Sequence, residues 1–219
     1  MRILVVAATD PEIAPVVARM YSTPTGDTCV DTYTHAAHEV DVLITGVGMV
    51  AMAAWCSRAL TQTPYDLALN LGVCGSFDRT LEPGTVVHIV SDRLAELGAE
   101  DGERFLTLED LQLPGESEFV NLDPPSNPAL DRLPAVTGIT VNTVHGSERS
   151  IAAVTQRFNP QVESMEGAAF MSACLIHKVA FAQVRAVSNF VERRNREAWK
   201  MADAIRHLGE TALRILDHA

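Results

Sequence analysis

The run Val162-Glu163-Ser164-Met165-Glu166-Gly167-Ala168-Ala169-Phe170 reads as a short strand passing straight into a helix that opens with Glu166. A carboxylate in the first helical turn lies at the positive end of the helix dipole, where an anion is favoured. It can remain ionised there and still face a pocket at the end of a strand. Such a group suits gripping paired hydroxyls, as on a ribose, because each hydroxyl donates one bond to it. A helix that merely prefers an acid near its N-terminus would carry the same residue.

Glu12 stands in a similar place, just inside the first helical stretch. An acid there complements the helix dipole, or serves as a base. Two Gly-rich segments follow strand-like runs and are expected to be tight turns: Thr45-Gly46-Val47-Gly48 after Ile44, and Gly72-Val73-Cys74-Gly75-Ser76 after Leu71. Glycine lets backbone approach a ligand closely, and open α/β sheets bind ligands outside the carboxyl ends of their strands. Neither segment is a P-loop or a full GxGxxG fingerprint. In Arg185-Ala186-Val187-Ser188-Asn189-Phe190 an apolar strand ends in two polar residues. Ser188-Asn189 fits a turn or a cap, and equally an amide that offers a ligand a donor and an acceptor. In a mostly parallel sheet these strand-end features converge on one face.

The elements that must position them alternate between strand and helix patterns. Strand-like runs are expected at 2–8, 28–34, 38–45, 66–71, 84–91, 136–144, 161–165 and 180–187, and helices at 11–20, 49–61, 148–157, 166–176 and 195–217. Thr9-Asp10-Pro11 supplies a cap and a proline for the first helix. The last helix has the clearest apolar stripe: Ala198, Ala202, Ile205, Leu208, Ala212, Ile215 and Leu216. The stretch 92–134, rich in Pro, Gly and acids, is expected to be long loops with one short helix at most. This alternation implies an α/β fold. The expectation is a single three-layer α/β/α domain over 1–219, around a mixed, mostly parallel twisted sheet.

The chain has 219 residues, 47% of them hydrophobic, and can bury a full core. Its formal net charge of −11 argues against nucleic acid and membrane surfaces as partners, since both reward clustered Lys and Arg. No apolar run approaches the length of a bilayer span, and the start enters a strand-like run without a signal-peptide pattern. A cytoplasmic protein is expected. Cys29, Cys56, Cys74 and Cys174 lie far apart, with no CxxC pair and no zinc spacing, so free thiols and no metal are expected.

The order of these pieces resembles the nucleosidase and phosphorylase superfamily of purine nucleosides over nearly the whole chain. The most specific parts are Val-Glu-Ser-Met-Glu-Gly-Ala-Ala at 162–169, Ser188-Asn189, Thr-Gly-Val-Gly at 45–48 and Asn-Leu-Gly-Val-Cys-Gly at 70–75. The resemblance implies a small-molecule nucleoside substrate and no cofactor. Glu166 would hold the ribose hydroxyls, Met165 would pack on the sugar, and Gly75 with Val73 and Cys74 would border the base. Gly48 and Ser147 would also touch substrate. It further implies a homo-oligomer, because this fold commonly pairs subunits near the active site.

Members of that superfamily use either water or phosphate. Its phosphorylases carry an Arg-x-Gly arrangement where this chain has Asn70-Leu71-Gly72, and Gly-Asp-Pro where it has Thr9-Asp10-Pro11-Glu12. A carboxylate repels phosphate but takes a proton from water, so Glu12 and Asn70 favour hydrolysis. Arg2, Arg149 or an Arg of a second subunit are the remaining sources of a cation. The adenine-specific nucleosidases have Ser-Asp where this chain has Ser188-Asn189, and an amide at 189 suits a 6-oxopurine instead. The stretches 142–148 and 188–199 resemble the futalosine hydrolases, whose substrate carries hypoxanthine and a benzoate arm. Arg193, Arg194 or Arg196, with Trp199, would meet that arm. The competing readings are an inosine-type phosphorylase, a methylthioadenosine/S-adenosylhomocysteine nucleosidase, and a nucleoside-binding protein without catalysis.

Overall fold

The computed structural model describes residues 1–23 and 30–219. The described residues form, in chain order, β1 (Arg2–Ala7), α1 (Asp10–Val17), β2 (Tyr21–Thr23), β3 (Asp31–His35), β4 (His38–Ile44), α2 (Met49–Gln62), β5 (Leu67–Ser76) and β6 (Val86–Leu94). Then come β7 (Gly98–Asp101), β8 (Arg104–Thr107), β9 (Glu118–Val120), β10 (Ala135–Thr140), α3 (Glu148–Phe158), β11 (Val162–Ser164), α4 (Gly167–His177), β12 (Phe181–Phe190) and α5 (Met201–Asp217). Among them no helix is long and apolar enough to cross a membrane.

Alternation on β1 explains the layers. Ile3, Val5 and Ala7 join a core with Ile13 and Val16 of α1 and Leu208, Ala212 and Ile215 of α5. Leu4 and Val6 join the opposite core with Met52 and Cys56 of α2 and Phe170, Met171 and Cys174 of α4. A strand apolar on both faces belongs in the middle of such a sandwich. The expected α/β/α architecture is therefore the observed one, and the sheet is mixed as expected.

Strands β4, β1, β5 and β12 run parallel, and β12 meets β6 antiparallel. β10 lies parallel to β6, and β11 lies parallel to β10. β11 then turns back to pair antiparallel with the end of β5, so β5, β12, β6, β10 and β11 close into a ring. Cys74, Leu81, Val87, Ile89, Val136, Val162 and Val187 form a third core.

Several expectations are corrected. Gly72–Ser76 is not a turn but the last part of β5, because it is paired with β12 on one side and β11 on the other. Ser188 and Asn189 likewise lie inside β12, with Ser188 bulged out of register. The stretch 92–134 contains the hairpin β7–β8 and the short β9 rather than a helix. The last helix starts at Met201; residues 196–198 form a single 3-10 turn before it. β2 has no counterpart among the expected strands, and residues 28 and 29 of the expected strand 28–34 lie outside the described residues.

Candidate active site

A cavity of about 510 Å³ opens at the carboxyl ends of β1, β5 and β12. Of the residues singled out in the sequence, Glu12, Val73, Cys74, Gly75, Met165, Glu166, Ser188, Asn189, Arg194 and Trp199 line it. Gly48 and Ser147 do not. Ser147 is the N-cap of α3, its Oγ accepting from Ser150 N–H, which uses the hydroxyl for local structure. Gly48 acts one step removed. With φ at 101°, it turns the chain after β4 so that its N–H donates to Glu166 Oε1 at 2.9 Å.

Glu166 is the N-cap of α4, not a first-turn residue, and its side chain does not cap the helix. It is buried, with Oε1 on Gly48 N–H and Oε2 4.0 Å from Arg185 Nη2. Glu12 is buried at the third position of α1. Thr9 N–H and Oγ1–H donate to its Oε2 at 2.9 and 2.8 Å, and Val73 N–H donates to its Oε1 at 3.1 Å. The carboxylate thus ties α1 to β5 as well as facing the cavity.

Arg185 is the principal residue that sequence reasoning missed. It is fully buried in the middle of β12, flanked by Val184 and Ala186. Its Nη2 donates to Asn70 Oδ1 at 2.5 Å, and Asn70 Nδ2 donates to Val6 carbonyl at 3.0 Å. Its Nε and Nη1 have no hydrogen-bond partner among the described residues. A Cβ on Gly72 would collide with Nη1 and fall 3.0 Å from Glu12 Oε1, so Gly72 leaves the room that the guanidinium and the carboxylate share. The available signal was a lone cation inside a run otherwise destined for the core, since an unpaired buried charge is strongly disfavoured. The other cations considered are elsewhere: Arg2 is held by Asp41 and Glu39, and Arg149 by Glu103.

Asn189 is oriented from both ends. Ser188 Oγ–H donates to its Oδ1 at 2.7 Å, and its Nδ2 donates to Phe190 carbonyl at 2.9 Å. Gly75 pairs with Asn189 across β12 and with Glu163 across β11. Glu163 and His145 also line the cavity, although nothing local in the sequence marks either as a site residue. Burial pushes the Cys74 thiol up to about 12, so it stays neutral and is no nucleophile. At the mouth, the Arg194 guanidinium stacks 5.2 Å over the Trp199 ring, with Arg196 at 5.9 Å. Arg193 lines a separate groove with Arg79 and Glu148. Among the described residues no group of three His, Cys, Asp or Glu side chains is disposed to hold a metal ion.

Paired acids beside one buried guanidinium, with an oriented amide across the pocket, on an α/β/α frame, are the equipment of an enzyme that works on a polar small molecule such as a nucleoside. The chain belongs to the phosphorylase superfamily, whose sequence model matches residues 2–219. It is 31% identical over 180 residues to futalosine hydrolase of Thermus thermophilus, covering 80% of each chain. It is 32% identical over 177 residues to futalosine hydrolase of Streptomyces coelicolor, covering 75% of this chain and 73% of that one. The fold also matches a methylthioadenosine/S-adenosylhomocysteine nucleosidase of Colwellia psychrerythraea solved with adenine, with a TM-score of 0.79 at 22% identity over 99% and 95% of the two chains. Futalosine hydrolase of Helicobacter pylori superimposes with a TM-score of 0.81 at 14% identity over 99% and 97%. The chain is thus a nucleosidase-family enzyme, in a family that cleaves the glycosidic bond of purine nucleosides.

Proposed function

We propose that this enzyme hydrolyses the N-glycosidic bond of futalosine, releasing hypoxanthine as a step of menaquinone biosynthesis. The observation that carries the choice of water is the pair of buried carboxylates, Glu12 and Glu166, on the wall of a cavity whose one lining guanidinium among the described residues is that of Arg194 at the mouth. A water beside Glu12 has a base to take its proton. A phosphate dianion would gain one guanidinium and face the two carboxylates of Glu12 and Glu166. Each like-charge pair at 4 Å costs roughly 4 kcal/mol at an effective dielectric of 20.

The glycosidic bond lengthens first, and positive charge grows on the ribose. Glu166, oriented by Gly48, holds the 2′ and 3′ hydroxyls and stabilises that charge. Met165 packs on the sugar, and Glu12 takes a proton from the attacking water. Val73, Cys74 and Gly75 border the base, Ser188 orients Asn189, and Asn189 presents an amide to a 6-oxopurine. Arg194 offers a cation to the benzoate carboxylate, and Trp199 offers a wall to its ring. The 31% identity to futalosine hydrolase of Thermus thermophilus supports this substrate.

The enzyme is also proposed to pair with a second copy through α2 and α4. Val50 and Ile176 there are 80% and 73% exposed beside a groove lined by Met49, Ala53, Phe119 and Ala169. The test of function is incubation of the pure protein with futalosine, inosine and methylthioadenosine, with and without phosphate. Release of hypoxanthine from futalosine at a rate independent of phosphate is expected. Accumulation of a ribose 1-phosphate product, or preference for methylthioadenosine, overturns the reading.

A further inference from the structure

The side chain at 189 is an amide, and an amide does not give up a proton to a leaving purine. We propose that His145, set in place by Glu163, is the catalytic acid that protonates the departing base. This rests on the nucleosidase reading above and adds a residue to it.

Glu163 is 3% exposed and spends both carboxylate oxygens on one residue. Its Oε1 accepts His145 N–H at 3.0 Å, and its Oε2 lies 2.6 Å from His145 Nδ1. A carboxylate accepts only, so Nδ1 carries a hydrogen and the ring orientation is fixed. The Phe77 ring meets the imidazole edge-on at 6.1 Å and supports it from the other side. The proton that remains mobile is therefore the one on Nε2. Nε2 has no hydrogen-bond partner among the described residues, yet it is not among the polar atoms sealed from solvent. The ring lines the cavity, so this free edge opens there.

The placement is that of the base. Gly75 pairs with Glu163 on one side and Asn189 on the other. A Cβ built on Gly75 would stand 3.5 Å from Asn189 Nδ2 and 3.6 Å from Glu163 Cγ. The amide and the His145–Glu163 pair therefore flank one glycine, at the end of the cavity where a purine held by Asn189 would lie. The step balances. The C1′–N9 bond breaks and its electron pair passes into the purine, while Nε2–H transfers to a purine ring nitrogen and the imidazole becomes neutral. Water bonds to C1′ and gives its proton to Glu12. Glu12 returns that proton to solvent, and His145 takes one up for the next turnover. The charged groups around the imidazole are Glu163 in contact from β11, and, lining the same cavity, Glu12 from α1, Glu166 from the start of α4, and Glu192 and Arg194 after β12.

The test is the pH profile of futalosine cleavage in the wild type, His145→Gln and Glu163→Gln, with hypoxanthine binding and near-ultraviolet circular dichroism as controls for the fold. A positioned acid contributes about 10²–10⁴-fold, so His145→Gln is expected to lose that much kcat while KM changes little. Its kcat should also lose the decline with rising pH that a required protonated acid imposes on the wild type. Glu163→Gln should keep that decline at a reduced kcat. Three outcomes overturn the proposal: a His145→Gln enzyme with near-normal kcat, one whose KM rises while kcat holds, or one that keeps the wild-type pH profile. A wild type inert toward futalosine but active on another nucleoside refutes the substrate assignment alone, and the same profile on that nucleoside then decides the role of His145. A wild type inert toward every nucleoside refutes both.

Discussion

Asp92 offers a test of the frame behind the site. It is fully buried on β6, and burial raises its carboxyl to about 6, offset in part by Gln183, Thr140 and Arg185. Oδ1 accepts from Thr140 Oγ1 at 2.9 Å and Oδ2 from Gln183 Nε2 at 2.9 Å, while Gln183 Oε1 has no partner. An aspartate in the unfolded chain titrates at about 3.9. Between about pH 4 and 6 the native state therefore holds a proton that the unfolded chain has lost. The contribution to stability is complete below about pH 4, is lost as pH rises to about 6, and does not return above it. Raising a carboxyl from about 4 to about 6 costs the ionised native state roughly 3 kcal/mol. Asp92→Asn is isosteric, keeps an acceptor for Thr140, and presents an NH₂ to which a rotated Gln183 amide offers its free oxygen. The variant should match the wild type near pH 4 and exceed it by on the order of 3 kcal/mol at pH 7.5, or roughly 6–12 °C in Tm for a domain of this size. Urea unfolding from pH 4 to 8, followed by tryptophan fluorescence, measures the difference. His88, lowered by burial, contributes a slope of opposite sign in the neighbouring range, but it is common to both proteins and cancels. Stability curves that run parallel at every pH would refute the claim that Asp92 carries this charge cost.

Three further outcomes concern the pocket. Glu166→Gln keeps an acceptor for Gly48 N–H but loses the charge, and kcat for futalosine should fall by on the order of 100-fold with unfolding unchanged. Glu12→Gln keeps an acceptor for Thr9 but gives up the Val73 N–H bond, so its expected loss of about 10²–10⁴-fold in kcat, with hypoxanthine still bound, is read beside an unfolding control. Asn189→Asp removes the amide donor proposed to face O6, and kcat/KM measured on futalosine and its 6-amino analogue should shift toward the latter.

The layers were legible because β1 is apolar on both faces and α5 on one, and such patterns fix what each element buries. The short strands were not. β9 is three residues long and exists through its pairing with β6, which no local pattern encodes. Gly72-Val73-Cys74-Gly75 looks like a turn when glycine is read for its backbone freedom. In the fold the glycines are there for the space beside them, which depends on Arg185 and on β11, both far away in sequence. Glu12, Glu166 and Asn189 stood out in the sequence because chemistry-bearing residues at strand ends announce themselves, and all three line one cavity. Arg185, Glu163 and His145 did not, because each is placed by a partner distant in sequence.

The seam that closes the ring consists of two residue pairs, Val162 with Ser76 and Glu163 with Gly75. Both members of the second pair also line the cavity. Opening the seam therefore dismantles the pocket. Regions in one cooperative unit exchange their amide hydrogens together, whereas peripheral segments open at lower free energy. The hairpin β7–β8 is a sheet of its own, and fraying there should leave turnover unchanged. Heat inactivation of this enzyme should then follow the melting of the ring itself, with no warmer interval in which a folded but blunted catalyst survives.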